Sequence, residues 1–262
     1  MSKVSYERRG AAAVLTIERP ERRNAVDPET ADLLLEGYRS FEDDDEARVL
    51  VLTGAGDQAF CAGADLKSMA EAGVDSTVAA EWLAERPDGP LGFTRLTPSK
   101  PTIAAISGYA LAGGLELALW CDLRVGTETA QLGFPERRWG VPLIDGGTQR
   151  LPRIVGLGRG LDMILSGRIV DADEALAMGL LTEVVAPGKH LERALEMAEG
   201  LAAFPQETML ADRRGAIEGL GLPLAEGLAL EAEIGSKVAA TGVAGAARFA
   251  SGEGRGGSGA GV

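Results

Sequence analysis

Short β-branched and apolar runs alternate with amphipathic stretches over the first two-thirds of the chain. Val4 to Arg9 and Ala11 to Glu18 read as two strands joined at Gly10, the second ending before Pro20, so a hairpin opens the chain. Asp27-Pro28-Glu29 is a helix start, with aspartate as N-cap and proline at the first helical position. Leu33, Leu34, Tyr38 and Phe41 give that helix an apolar stripe. Val49 to Thr53, Thr102 to Ile106 and Leu123 to Thr127 predict buried strands. Further helical signals lie around Ala79 to Arg86, at Leu91 to Leu96 and from Gly146 to Val155. Alternation of this kind to about residue 186 predicts an α/β core with largely parallel pairing. Beyond it, His190 to Phe204, Thr208 to Gly219 and Leu224 to Ala240 read as three helices, split by Pro205 and by Gly221-Leu222-Pro223. The glycine-rich end, SGEGRGGSGAGV, predicts a flexible tail.

The strand Thr102 to Ile106 leads into Gly113-Gly114 and then a helical run to Cys121. Glycines there remove side chains where the backbone must approach something closely. The first N–H groups of a helix have no partner inside it and sit at its positive end, so they can hold a negatively charged oxygen. Glu116, three residues after Gly113, shares its helical face, which puts an acid beside a potential anion pocket. The plainer alternative is close helix–strand packing with a solvated first-turn glutamate. Earlier, AFCAGADLKSM (59–69) offers a second small-residue loop, with Asp65 placed to cap a following helix. Glu136 lies in a segment broken by Pro135, Gly140 and Pro142.

Composition narrows the chemistry. At 262 residues, 45% apolar and 25% charged, the chain is expected to form one large domain or a domain with an appendage. No apolar stretch reaches the ~18 residues of a membrane span and MSKVSYERRG lacks an apolar leader core, so the expected location is cytoplasmic. A net charge of −13 makes nucleic acid and anionic membranes poor partners. Arg19, Arg22 and Arg23 are the local exception, a patch suited to a phosphate or a solvated loop. Cys61 and Cys121 are too few for a disulfide framework and lack metal-ligand spacing. His190, the single histidine, opens an amphipathic helix and is expected at the surface or in a cap. That argues against a Ser-His-Asp triad or a histidine metal site. Gly156, Gly158 and Gly160 follow a helix-like segment, which does not fit a dinucleotide loop.

Taken together, RPERRNAV, AFCAGADLKSM, KPTIAAISGYALAGGLELALWCD, FPE, GGTQRLPRIVG and SGRIVDADEALAMGLLTEVV resemble the crotonase superfamily, specifically enoyl-CoA hydratases, across residues 4–250. The resemblance implies an α/β fold, a crotonase-like (ClpP/crotonase) spiral of repeated ββα units with a C-terminal helical region. It implies a core over 1–190, a trimerisation region over 191–250 and a tail over 251–262. It places the two N–H groups that hold a thioester oxygen on Ala64 and Gly113, and the two acting glutamates at Glu116 and Glu136. Arg22, Arg23, Ala25, Ala62, Asp65, Leu66, Lys67, Pro135 and Gly140 are implied to meet substrate and coenzyme A. The partner is then an acyl-CoA thioester, with no cofactor beyond the coenzyme A of the substrate and no metal, and the assembly a homotrimer or homohexamer.

Departures from that pattern are informative. Arg137-Arg138-Trp139 replaces apolar residues, and LIDGG (143–147) replaces a PGAGG-like run. Dienoyl-CoA isomerase relatives carry an aspartate near Asp145, so an isomerase using Asp145 is the main rival. Asp145 could instead cap the following helix or pair with Arg137, Arg138 or Arg150. Other rivals are a binding protein for CoA thioesters or RNA, disfavoured by the acidic charge, and a ClpP-like serine protease, disfavoured by the place of His190.

Overall fold

The computed structural model describes residues 2–71, 73, 75 and 85–252. They fall into two compact units, one ending at Ala198 and one starting at Glu199.

In the first unit, β1 (Val4–Arg9) and β2 (Ala12–Ile17) form the expected hairpin, Val4 opposite Ile17. Helix α1 (Pro28–Asp43) starts as its sequence dictates, with Asp27 Oδ1 accepting from Thr30 N–H at 2.9 Å. It leads to β3 (Val49–Gly54), parallel to β2. There follow β4 (Ala59–Cys61), α2 (Leu66–Glu71), β5 (Thr102–Ile106), β6 (Tyr109–Leu111), α3 (Gly113–Trp120), β7 (Leu123–Thr127) and β8 (Gln131–Gly133). A 3-10 turn (Pro135–Trp139) precedes α4 (Gly147–Val155), α5 (Leu157–Ser166), β9 (Ile169–Asp171), α6 (Ala172–Ala177) and β10 (Glu183–Val185). Helix α7 (His190–Ala202) ends in the second unit.

Among the described residues the strands make two sheets, ordered β1-β2-β3-β5-β7-β10 and β4-β6-β8-β9. Each strand pair, β3–β4, β5–β6 and β7–β8, gives its first member to the large sheet and its second to the small one. A helix or 3-10 turn then carries the chain onward, and the repeat winds into a spiral of ββα units. All pairings are parallel except β1 with β2 and β8 with β9. Both faces of β3 and β5 are covered, which is why they read as unbroken apolar runs.

The segment at Leu91 to Leu96 is a tight turn and not the expected helix. Gly92 has φ 105°, and a Cβ there would lie 2.5 Å from Ala31 O, so helical backbone is displaced by a close approach to α1. Phe93 stacks between Tyr38 (5.5 Å) and Trp120 (4.4 Å), and the Trp120 indole donates to Leu96 O at 2.8 Å. These contacts clamp the turn against α1 and α3. His190 is buried, not at the surface; its Nδ1 has no partner among the described residues, and burial lowers its pKa.

The second unit is helical: α8 (Gln206–Gly219), α9 (Leu224–Lys237) and α10 (Ala239–Ser251). The helix expected to run to Ala240 breaks at Val238, and α10 extends beyond it. Most of the helix expected at Ala79 to Arg86, and residues 253–262 of the expected tail, lie outside the described residues. No helix among the described residues is long and apolar enough to cross a membrane.

Candidate active site

The site is built around the start of α3. Ala112, just before it, has φ 53° and ψ −128°, a conformation that typically costs an L-residue about 1–3 kcal/mol. Its N–H donates to Gly133 O at 2.9 Å, and its carbonyl accepts from Leu115 (2.9 Å) and Glu116 (3.2 Å). The Gly113 N–H has no acceptor among the described residues. The loop after β4 packs against it closely, because a Cβ on Gly63 would lie 2.8 Å from the Gly113 nitrogen. In that loop Gly63 O accepts from Val26 (2.8 Å) and Asp65 N–H donates to Val26 O (2.9 Å). Ladder alternation turns the Ala64 N–H the other way, and it too has no acceptor among the described residues. Two unpaired donors on touching loops, one at a helix N-terminus, can bind an anionic oxygen.

Three carboxyls gather next to them. Glu116 is only 2% exposed, so the solvated alternative fails. Its Oε1 accepts from the N–H of Asp145 (2.9 Å) and of Gly147 (2.8 Å). Burial, then the charge of Asp145, push its pKa up to about 8 against the pull of those two donors, and the charge of Glu136 adds to the rise. Glu136 sits in the 3-10 turn, buried, and neither carboxyl oxygen has a partner among the described residues. Burial pushes it up to about 7. Asp145 is buried and also raised, again chiefly by burial. Its Oδ1 accepts from Leu91 N–H (3.1 Å) and from the Thr94 hydroxyl. It therefore caps no helix and forms no side-chain pair with Arg137, Arg138 or Arg150. Arg150 instead donates to the carbonyls of Asp145 (2.9 Å) and Thr94 (2.6 Å). A cavity of about 360 Å³, bounded by Thr94, Arg95, Leu143, Ile144, Thr148 and Arg150, opens beside this turn.

The arginine patch divides. Arg22 and Arg23 are exposed, and the Arg23 guanidinium lies 5.6 Å from the centre of the Tyr109 ring. Arg19 is 7% exposed and turned inward, bonded to Ala25 O and Asp65, so it is no part of a phosphate patch. Ala62 donates to Arg23 O at 3.0 Å, which joins the two loops, and Ala25 is buried between them and Arg19. Leu66 and Lys67 are exposed. The Asp65 carboxylate is engaged by Arg19 and by Ser68 N–H (3.2 Å), leaving a ligand only its backbone. Pro135 is half-buried beside Glu136. Gly140 is exposed, with nothing within 4 Å of where its Cβ would stand, and its N–H closes the 3-10 turn on the carbonyls of Arg137 and Glu136. The structure adds Ala112, Leu91, Thr94 and Arg150, whose contacts here are backbone or long-range and leave no local signal in the sequence.

The two sheets wound from ββα units place the chain in the crotonase-like fold. The crystal structure of an enoyl-CoA hydratase from Mycobacterium marinum superposes with TM-score 0.86 at 33% identity, covering 96% of each chain. A family model described as enoyl-CoA hydratase/isomerase matches residues 7–249, and the chain belongs to that family. Among curated proteins, the short-chain-enoyl-CoA hydratase of Clostridium acetobutylicum is 35% identical over 237 residues, 89% of this chain and 88% of that one. The (E)-benzylidenesuccinyl-CoA hydratase of Thauera aromatica is 36% identical over 225 residues, 86% of each.

Proposed function

We propose that the chain is an enoyl-CoA hydratase, adding water across the 2,3-double bond of a 2-enoyl-CoA thioester. The observation that carries this reading is the pairing of two unpartnered backbone donors, on Ala64 and Gly113, with two buried carboxyls poised near neutrality, Glu116 and Glu136. The hydratases among its relatives support it.

Attack of water at C3 moves negative charge onto the thioester oxygen. The Ala64 and Gly113 donors stabilise that charge, each such donor typically contributing ~3 kcal/mol. Glu116, with Oε1 fixed by two N–H groups, keeps Oε2 to orient the water and take its proton. Glu136, without hydrogen-bond partners among the described residues, delivers a proton to C2. This requires Glu116 ionised and Glu136 protonated, which with pKa values of about 8 and about 7 lies about 1.4 kcal/mol above the reverse sharing of the proton and stays accessible near neutral pH. The scheme uses no cofactor; coenzyme A belongs to the substrate. Arg22 and Arg23 would meet its phosphates, with Ala25, Ala62, Leu66, Lys67 and Pro135 along its path.

The test is the loss of enoyl absorbance from crotonyl-CoA with formation of the 3-hydroxyacyl product. Wild type is expected to hydrate, and Asp145→Asn to keep its rate within about 10-fold, below the usual effect of removing a general acid or base, because Asp145 Oδ1 serves Leu91 and Thr94. A wild type that does not hydrate, with Asp145-dependent conversion of a 3-enoyl- or dienoyl-CoA, would assign an isomerase.

The oligomer is read as a trimer or hexamer built through the helical region over 191–250, after a core over 1–190. Its support is exposed apolar surface on single helices, Leu224 and Leu228 on α9 and Val243 and Phe249 on α10. Light scattering at micromolar concentration should give three or six chains, and a monomer would refute this. The cytoplasm is the proposed location.

A further inference from the structure

Arg19 follows β2, and its inward-turned side chain joins elements far apart in sequence. One terminal nitrogen donates to Ala25 O; the other lies 3.0 Å from Asp65 Oδ2 and 3.2 Å from Asp27 Oδ2. Each aspartate uses its other oxygen to cap a helix, Asp27 through Thr30 N–H (2.9 Å) and Asp65 through Ser68 N–H (3.2 Å). One buried cation therefore holds the first turns of both α1 and α2. Lys3, 2.7 Å from Asp27 and 2.6 Å from Glu29, supplies the second positive charge. Burial would raise both aspartates, but Asp27 is brought down to about 2, by Lys3 and Thr30 bonds and the charge of Arg19, and Asp65 is lowered by the Ser68 N–H and Arg19. Both are ionised at working pH.

The consequence falls on Ala64. Its N–H direction is set by the peptide joining it to Gly63, whose φ of 89° lies in the region only glycine adopts freely. Before that peptide the loop is held by the Gly63 N–H to Cys61 Sγ contact, 3.3 Å, and the peptide's own carbonyl accepts at 2.8 Å from the N–H of Val26, which lies between Ala25 and Asp27, both bonded to Arg19. After it the fixed point is Asp65, tied by its N–H to Val26 and by its carboxylate to Arg19. The peptide is held at its own carbonyl and on both flanks, and Arg19 supports two of these three anchors, the Val26 segment and Asp65. We propose that Arg19 is a positioning residue for the Ala64 N–H, acting through the Asp65 carboxylate. The proposal rests on the hydratase reading, in which that N–H receives the thioester oxygen.

The test uses Arg19→Met, Arg19→Lys, Asp65→Asn and the Arg19→Met/Asp65→Asn double variant in the full chain. Two readouts are taken per folded site: kcat against KM for crotonyl-CoA, and the red shift in absorbance of a bound dimethylaminocinnamoyl-CoA, which reports polarisation of the thioester carbonyl. Arg19→Met and Asp65→Asn should each lower kcat about 10- to 100-fold, as sub-ångström to ångström misplacement does, with KM little changed and a smaller red shift. The double variant should be no worse than either single one, and Arg19→Lys should recover part of the loss. Variants that only melt earlier, with kcat and red shift intact, would overturn the proposal, as would losses that multiply in the double variant. If the Arg19 variants do not fold, Asp65→Asn decides alone, since it leaves Arg19 bonded to Asp27 and Ala25. A wild type that neither hydrates nor shifts the probe would instead sink the hydratase reading itself.

Discussion

Glu116→Gln and Glu136→Gln are each expected to lower kcat for crotonyl-CoA hydration by about 10²–10⁴-fold, the range for a lost general acid or base. Glutamine at 116 keeps an oxygen to accept from Asp145 and Gly147, so the turn at 145–147 stays in place. What it loses is the ability to take a proton. KM should hardly move, because the backbone donors proposed to receive the thioester oxygen are untouched. The same Glu116→Gln change should stabilise the protein at pH 8. The folded pKa of about 8 lies above the unfolded value of 4.5, so between those pH values the native state binds the extra proton. Stability from this group is present below about pH 4.5 and is lost as pH rises toward 8. At about 1.4 kcal/mol per unit, the variant should melt several degrees above wild type at pH 8 and alongside it at pH 4.5. Calorimetry at the two values checks this. Equal melting at both would show Glu116 ionised in the folded protein at neutral pH, and the rise of its pKa on burial would be refuted.

That trade between stability and chemistry explains which parts of the site were legible in the sequence. Strands such as Thr102–Ile106 and the Asp27-Pro28 helix start declare themselves because their causes are local: side-chain branching, a fixed proline φ, a short acceptor oxygen. Gly113-Gly114 followed by Glu116 was legible for the same reason, since helix-end chemistry is set within one turn. Strands of three residues, β4, β6, β8, β9 and β10, are too short to show a period. The turn at Leu91–Leu96 was misread because what decides it, Gly92 against Ala31 and Leu91 bonded to Asp145, comes from residues some 50 to 60 positions away. Arg19 reads like Arg22 and Arg23 until Asp65, 46 residues on, is brought beside it. The burial of His190 was likewise invisible, because its helix offers an ordinary amphipathic pattern. Polar residues at sites are harder to place than apolar ones, as their partners are chosen by the fold and not by the period.

Gly114→Ala should be among the most damaging single methyl additions at the described glycines. A Cβ at this position would lie 2.0 Å from Cys61 O and 2.6 Å from Cys61 C, and both are backbone atoms of β4 that cannot rotate away. Restoring ordinary contact requires the start of α3 to recede from β4 by about 1 Å, a strain of overpacking that typically costs 1–3 kcal/mol. The Gly113 N–H recedes with the helix, while Ala64, three residues beyond Cys61, stays with the strand. The two donors then no longer converge. Loss of one oxyanion donor typically costs about 10²–10³ in kcat, so Gly114→Ala should both melt earlier and fall by that factor per folded site. Gly113→Ala separates the two effects, because its Cβ would meet Leu91 Cδ1 at 2.5 Å, the far end of a side chain that can turn aside. Its fold should be nearly unaffected. Circular-dichroism melting combined with kcat per folded site distinguishes the pair, and a Gly114→Ala enzyme with full kcat would mean that the N–H of Gly113 does not receive the thioester oxygen.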